Sequence, residues 1–296
     1  MGLAGFKSAW QRQTLHFGHD HQDKYSVLLI DNRGMGDSDK PLMRYSSSEM
    51  ARDLIEVATH VGWLSSSQPS RTIHLVGISM GGMIAQEVAT LIPHSISTLN
   101  LLCTAAAIEN TTTFAENMSN RASMLLPKSV ERSVHDSALQ IFNHDWLTQS
   151  DDARLPDPTT TPKCLPPSPD TTYLRFDNNA QRFIAQEMHK RLDSARFGLK
   201  GFLLQLIAAG WHHKSPAQLK EMADQLGRDR ILVVHGVDDN MISVPHGRKL
   251  IEYLQPAVGL IEEGLGHAPI AERTEWLNGL IAERIAVGEK LDGRGA

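Results

Sequence analysis

The chain has 296 residues, 41% of them apolar, and a formal net charge of −5, the composition of a globular protein with one sizeable core. The acidic balance and the absence of a basic stripe argue against a nucleic-acid partner, and no apolar run reaches the ~18 residues of a membrane span. Two cysteines, Cys103 and Cys164, cannot make a disulfide framework, and no secretory signal pattern opens the sequence, so the expected location is the cytoplasm.

In chain order, residues 1–10 (MGLAGFKSAW) read as a glycine-rich loop entering a helix near 7–10. His16, His19 and His21 beside Asp20 and Asp23 offer imidazole and carboxylate ligand types, but the stretch reads as a solvated turn ahead of a strand. Residues 25–31 (YSVLLID) have the apolar signature of a buried parallel strand. The loop after it, DNRGMGDSD at 31–39, has neither a third glycine nor a P-loop lysine, so nucleotide binding is not expected. Residues 48–61 carry helical periodicity through Met50, Leu54, Val57, Ala58 and Val61. Strands are expected at 73–78 and 96–103, with a helix from Ser79 to the residue before Pro93 between them. Such alternation predicts a parallel, doubly wound sheet with helices on both faces.

From about residue 107 to 226 the pattern becomes helical, an insertion dividing a core at 1–106 from its continuation at 227–296. Helices are expected at 118–126, 134–146, 177–192 and 199–211. The prolines between 155 and 170 exclude regular structure there. The helix at 199–211 is apolar nearly all round, through Leu199, Phe202, Leu203, Leu204, Leu206 and Ile207, which predicts burial or a pocket lining. Strand signatures return at 230–235 and 258–262, with helices near 245–254 and 274–285.

The chemistry concentrates at Gly77-Ile78-Ser79-Met80-Gly81. Strand, sharp turn and helix in that order hold a serine hydroxyl exposed at the carboxyl end of a sheet. A tight turn leaves no room for a Cβ at its glycines. The unpaired N–H groups opening the helix, that of Met80 first, favour the negative charge of a tetrahedral intermediate. A serine hydroxyl needs an adjacent base. His267, in the glycine-flanked loop 264–269 (GLGHAP), is the candidate, and His246 is its rival. Ser79, a later acid and a later histidine each follow a strand, and those strand ends face one crevice.

On GISMG at 77–81, DNRGMGDSD at 31–39, HGVDD at 235–239 and GLGHAP at 264–269, the chain resembles an α/β-hydrolase with a helical cap. The elbow GISMGGMIAQ is similar to those of small esterases, enol-lactonases and cofactor-free perhydrolases. The resemblance implies a serine hydrolase with no metal or organic cofactor, acting on a small apolar ester. Within the family pattern H-G-x-x-D it implies Asp239 as the acid that orients the histidine, with Asp238 and then Glu109 as alternatives. It also implies an oxyanion hole made by the N–H groups of Met80 and Leu3, the latter in Met1-Gly2-Leu3, where relatives carry His-Gly-x. The family has three strands ahead of that loop, and this sequence begins after them, so the sheet is expected to lack its first strands. The expected activity is carboxylic-ester hydrolysis, including methyl esters or lactones. The same residues also suit a C–C hydrolase or a perhydrolase, and a truncated core suits a non-catalytic binding protein.

Overall fold

The computed structural model describes residues 1–64, 70–109, 128–157, 159–161 and 173–294. After a loop at residues 1–6 the chain entry is helical. A 3-10 turn (Lys7–Trp10) runs into a short helix α1 (Gln11–Gln13) and a π-helical segment (Thr14–Asp20). The solvated turn expected at 16–23 is therefore partly helix, because Leu15 and Phe17 are buried and anchor it. The histidines there serve packing: His16 meets Phe17 and His21 edge to face, and Asp20 pairs with Arg154.

The expected strand at 25–31 does not form. The segment has no regular secondary structure and no ladder partner among the described residues, and Val27 is exposed. An apolar run becomes a strand only where another backbone takes its N–H and C=O groups, and among the described residues none pairs with this one, although Tyr25 and Leu29 pack against the core. The sheet is instead β1 (Ile73–Ile78), β2 (Ile96–Leu102), β3 (Ile231–Gly236) and β4 (Val258–Glu262), in that spatial order and all parallel.

Helix α2 (Ser47–His60) starts where the Ser46 side chain accepts from Glu49 N–H, satisfying an orphan donor. Helix α3 (Met80–Leu91) follows β1 directly. The region expected as one helix at 134–146 is two, α4 (Val130–Ile141) and α5 (His144–Thr148), because Asn143 caps a new start by accepting from Asp145 and Trp146. Next come α6 (Asn179–Leu192), α7 (Leu199–Gly210) and α8 (Pro216–Leu226), the last closed by a Ser215/Gln218 capping box. After β3 come α9 (Val244–Leu254), α10 (Pro269–Glu272) and the long α11 (Thr274–Leu291). The helix expected at 118–126, most of the proline-rich stretch and Cys164 lie outside the described residues.

Strand periodicity sorts the core onto two faces. Leu75, Leu99, Leu101, Ile231 and Val233 pack with Met80, Ile84 and Val88 of α3, Leu219 and Met222 of α8, and Leu250 of α9. Ile78, Leu102, Leu232 and Val234 face the other way, against Trp10, Phe17, Phe142, Trp146, Leu277 and Ile281. Helix α8, which the sequence boundary at 226 assigned to the insertion, thus lies on the sheet core. The burial expected of α7 holds for one face only. Gly201, Gln205 and Ala208 are buried and Phe202, Leu204 and Ala209 pack partly against the core, while Leu199, Leu203, Leu206, Ile207 and, just past the helix, Trp211 are 41–69% exposed. The most buried positions are small or polar because they rest on backbone. A Cβ at Gly201 would stand 2.1 Å from Gly34 O, and Gln205 bonds both Ala4 N–H and Arg33 C=O at 2.9 Å. Between α7 and α8, buried His212 shares a 2.9 Å hydrogen bond with Ser47 Oγ. Burial, then the positive charge of Lys214, lowers its pKa to about 3.

Candidate active site

Ser79 stands between β1 and α3 with φ 57° and ψ −126°, a backbone region open to glycine and strained for a residue with a Cβ. The surroundings impose it. Ser79 N–H donates to Leu102 C=O at 2.9 Å, and Thr104 Oγ1 donates to Ser79 C=O at 2.7 Å, so both sides of the peptide are tied to the end of β2. The flanking glycines are steric necessities: a Cβ at Gly77 would lie 2.3 Å from Gly81 O, and one at Gly81 would lie 2.8 Å from Met1 N. The Ser79 side chain makes no capping bond to α3 and is half-buried.

The loop at 1–5 crosses directly over this serine. A Cβ at Gly2 would be 3.1 Å from Ser79 Cβ and 3.5 Å from Oγ. Leu3 follows, its side chain packed into the core beside Ala4, Phe6 and Met35. The 31–39 loop pins it from below: Asp31 accepts from Lys7 N–H at 2.6 Å and from Asp37 N–H at 3.0 Å, and Asn32 Nδ2 donates to Met1 C=O at 3.0 Å. Gly36, at φ 57°, lies so close to the Asp31 carboxylate that a Cβ would stand 2.2 Å from it. Gly36 thus serves packing around Asp31, whereas a Cβ at Gly34, φ 90°, would meet the Tyr45 ring and Gly201.

His267 sits between β4 and α10, and its Nδ1 donates to Asp239 Oδ2 at 2.7 Å. Both residues are buried. The other carboxylate oxygen, Oδ1, accepts from Met241 N–H at 2.9 Å and Ile242 N–H at 2.8 Å, so the group is fixed in rotation. Asp238, its neighbour, points elsewhere and accepts from Asn143 Nδ2 at 2.7 Å. His246 Nε2 accepts from Glu109 N–H at 3.0 Å, and the Glu109 carboxylate pairs with Lys249, so these rivals engage each other and α9 instead of His267. Among the described residues no hydrogen bond joins Ser79 Oγ to His267; both follow the carboxyl ends of sheet strands, β1 and β4.

Three further groups surround the pair, of which only His235, the first residue of the H-G-x-x-D pattern, has a signal in the sequence. His235 Nε2 donates to Ile242 C=O at 2.6 Å and lies 3.3 Å from Asp239 Oδ2. Burial lowers its pKa, against the raising effect of Asp239, so it is a neutral brace for the carboxylate. Glu272 accepts from Asn143 N–H at 2.9 Å, Gly266 N–H at 3.0 Å and Ala268 N–H at 3.0 Å. It thereby ties the residues on either side of His267 to the start of α5. Burial raises its pKa even so. His267 N–H itself donates to Ile141 C=O, the end of α4, at 2.6 Å. Cys103 ends β2 in a left-handed conformation, φ 44°, and its buried thiol lies beside Asp239, with burial pushing its pKa well up.

An oriented imidazole and a strained serine, brought together, are the groups that proton transfer and acyl transfer need. The sequence profile of the alpha/beta hydrolase family matches residues 2–280. The 3-oxoadipate enol-lactonase 2 of Acinetobacter baylyi is 29% identical over 143 residues, 48% of this chain and 48% of that protein. This chain spans about half the length of the curated relatives it matches. Among solved structures, the N-acyl homoserine lactone degrading enzyme Est816 superposes with a TM-score of 0.65 at 17% identity, over 95% of this chain and 90% of its own. The enol-lactonase of Burkholderia xenovorans LB400 gives 0.63 at 16%, over 96% and 88%. At these identities the structures speak for the fold, and with the profile matching nearly the whole sequence, the chain belongs to the alpha/beta hydrolase family.

Proposed function

We propose that this protein is a serine hydrolase of carboxylic esters, lactones included, working through an acyl-enzyme on Ser79. The observation that carries the reading is the 2.7 Å His267–Asp239 hydrogen bond at the same sheet edge as the strained Ser79 elbow. His267 Nε2 takes the proton of Ser79 Oγ as the oxygen attacks the acyl carbon. Asp239 holds the proton on Nδ1 and stabilises the imidazolium that forms. The oxyanion of the tetrahedral intermediate is received by the N–H groups of Met80 and Leu3, backbone donors that need no reorganisation. His267 returns the proton to the leaving alcohol, water repeats the sequence, and the acid is released.

The apolar side chains around the 1–5 loop and the helical region α4–α7 favour a small, apolar ester, and the names of the relatives, enol-lactonase and lactone-degrading enzyme, bring lactones into the range. The insertion supplies the groups that meet the His267 loop, Ile141 and Asn143, and its helices ahead of α8 are proposed as a cap over the site. The test is hydrolysis by the purified chain of p-nitrophenyl esters of increasing acyl length and of simple lactones, with intact-mass detection of an acyl adduct. Saturable turnover and an adduct on Ser79 support the proposal. A folded chain that turns over no ester or lactone and forms no adduct overturns it.

A further inference from the structure

Cys103, Asp239 and His267 each offer one ligand atom, and these atoms all lie within 4.8 Å of one another, all in buried residues. The arrangement is built by the backbone. Cys103 N–H is tied to Val234 C=O at 2.8 Å, and its left-handed φ of 44° turns the side chain beneath the His267 loop, where Sγ lies 3.6 Å from Gly266 C=O. Asp239 keeps Oδ1 on two backbone N–H groups, which leaves Oδ2 as the ligand atom.

We propose that these three residues form a site for a thiophilic divalent cation, Zn2+ in the first instance, that switches the hydrolase off. One thiolate, one imidazole and one carboxylate is a borderline-soft donor set that suits zinc and excludes magnesium or calcium. Bonds of ~2.3 Å to sulfur and ~2.0 Å to nitrogen and oxygen place tetrahedral ligand atoms about 3.5 Å apart, so the cluster needs side-chain shifts of about an ångström. Three metal–ligand bonds form, to Sγ, Nδ1 and Oδ2, and water fills the fourth position. The thiol proton leaves to solvent, and the Nδ1 proton gives way to the metal and resides on Nε2. Nothing is oxidised or reduced. With Nε2 protonated, His267 can no longer accept the proton of Ser79.

The inhibitory consequence rests on the proposed hydrolase reading, whereas the metal site stands on geometry alone, and the test separates them. The Ser79→Ala chain is titrated with Co2+ as a spectroscopic probe and with Zn2+ in equilibrium dialysis. The expected result is one equivalent bound, with a thiolate-to-cobalt charge-transfer band that disappears when Cys103→Ser is added. Zinc affinity falls by about 100-fold or more in that double variant, since even outer-sphere partners of a metal carry 10- to 100-fold. Cys103→Ala, checked for cooperative unfolding, serves if the serine variant does not fold. Absence of the band, or zinc affinity unchanged by both substitutions in folded protein, overturns the site. In the wild type, Zn2+ should inhibit ester hydrolysis reversibly to a chelator, and the Cys103 variants should resist it relative to their own zinc-free rates. A cobalt band in a chain that hydrolyses no ester upholds the metal site and overturns the hydrolase reading.

Discussion

Asp239→Asn separates an oriented base from a merely buried histidine. An asparagine in this position keeps the two backbone donors, Met241 N–H and Ile242 N–H at 2.9 and 2.8 Å, only if its carbonyl oxygen takes the place of Oδ1. Its NH2 group then faces His267 Nδ1, where the carboxylate oxygen stood at 2.7 Å. A donor there forces Nδ1 to be the acceptor and puts the imidazole proton on Nε2, the nitrogen that must receive the proton of Ser79. The equivalent tautomer error in the Ser-His-Asp template costs about 10⁴ in kcat, or ~5.5 kcal/mol at ~1.36 kcal/mol per decade. Asp238→Asn is the control: its carboxylate receives only Asn143 Nδ2 at 2.7 Å, and the expected loss is under about 10-fold. The assay is steady-state hydrolysis of a p-nitrophenyl ester by both variants, with folding checked by circular dichroism. Asp239→Asn retaining more than about a tenth of wild-type kcat, or Asp238→Asn losing as much as Asp239→Asn, would refute the reasoning.

Three further outcomes are expected. Glu272→Gln offers an NH2 to at least one of the three backbone N–H groups it now accepts, a mismatch worth about 1–3 kcal/mol. Neutralising a carboxylate whose burial already raises its pKa offsets that cost in stability, so kcat should fall about 10-fold while the thermal midpoint and KM move little; a shifted midpoint with normal kcat would assign Glu272 to stability alone. His212, at about 3 in the folded chain against 6.5, binds fewer protons folded than unfolded, so its contribution is intact above pH 6.5 and is lost as pH falls towards 3; urea unfolding should lose ~2 kcal/mol between pH 7 and 5, and His212→Asn should flatten that slope. Leu203→Gln, on the exposed face of α7, should change stability by less than about 0.5 kcal/mol, whereas Leu219→Ala, fully buried under α3, should cost about 2–5 kcal/mol; equal costs would show that α7 is buried in solution.

The elbow and all four sheet strands are legible in the sequence because each is a short, largely apolar run set between helical or turn-forming segments. Residues 25–31 look the same, yet remain unpaired, since pairing belongs to the neighbour and leaves no mark in the run itself. Helix α7 misleads for a related reason: a segment apolar all round does not say which face goes in, and its most buried positions are the small or polar Gly201, Gln205 and Ala208. The H-G-x-x-D spacing already favours Asp239 over Asp238, and what separates the two in the fold is the turn in which Asp239 accepts from Met241 and Ile242. Glu272 and Cys103 leave no trace in sequence, as their partners are backbone groups and side chains brought in from distant segments.

The most direct test of the account is labelling of the purified chain with a fluorophosphonate, read by intact mass and peptide mapping. The account predicts one adduct, on Ser79, absent from Ser79→Ala and strongly slowed in His267→Ala. A cooperatively folded wild type that takes up no label, or takes it up equally in Ser79→Ala, would contradict the claim that these residues form a hydrolytic site.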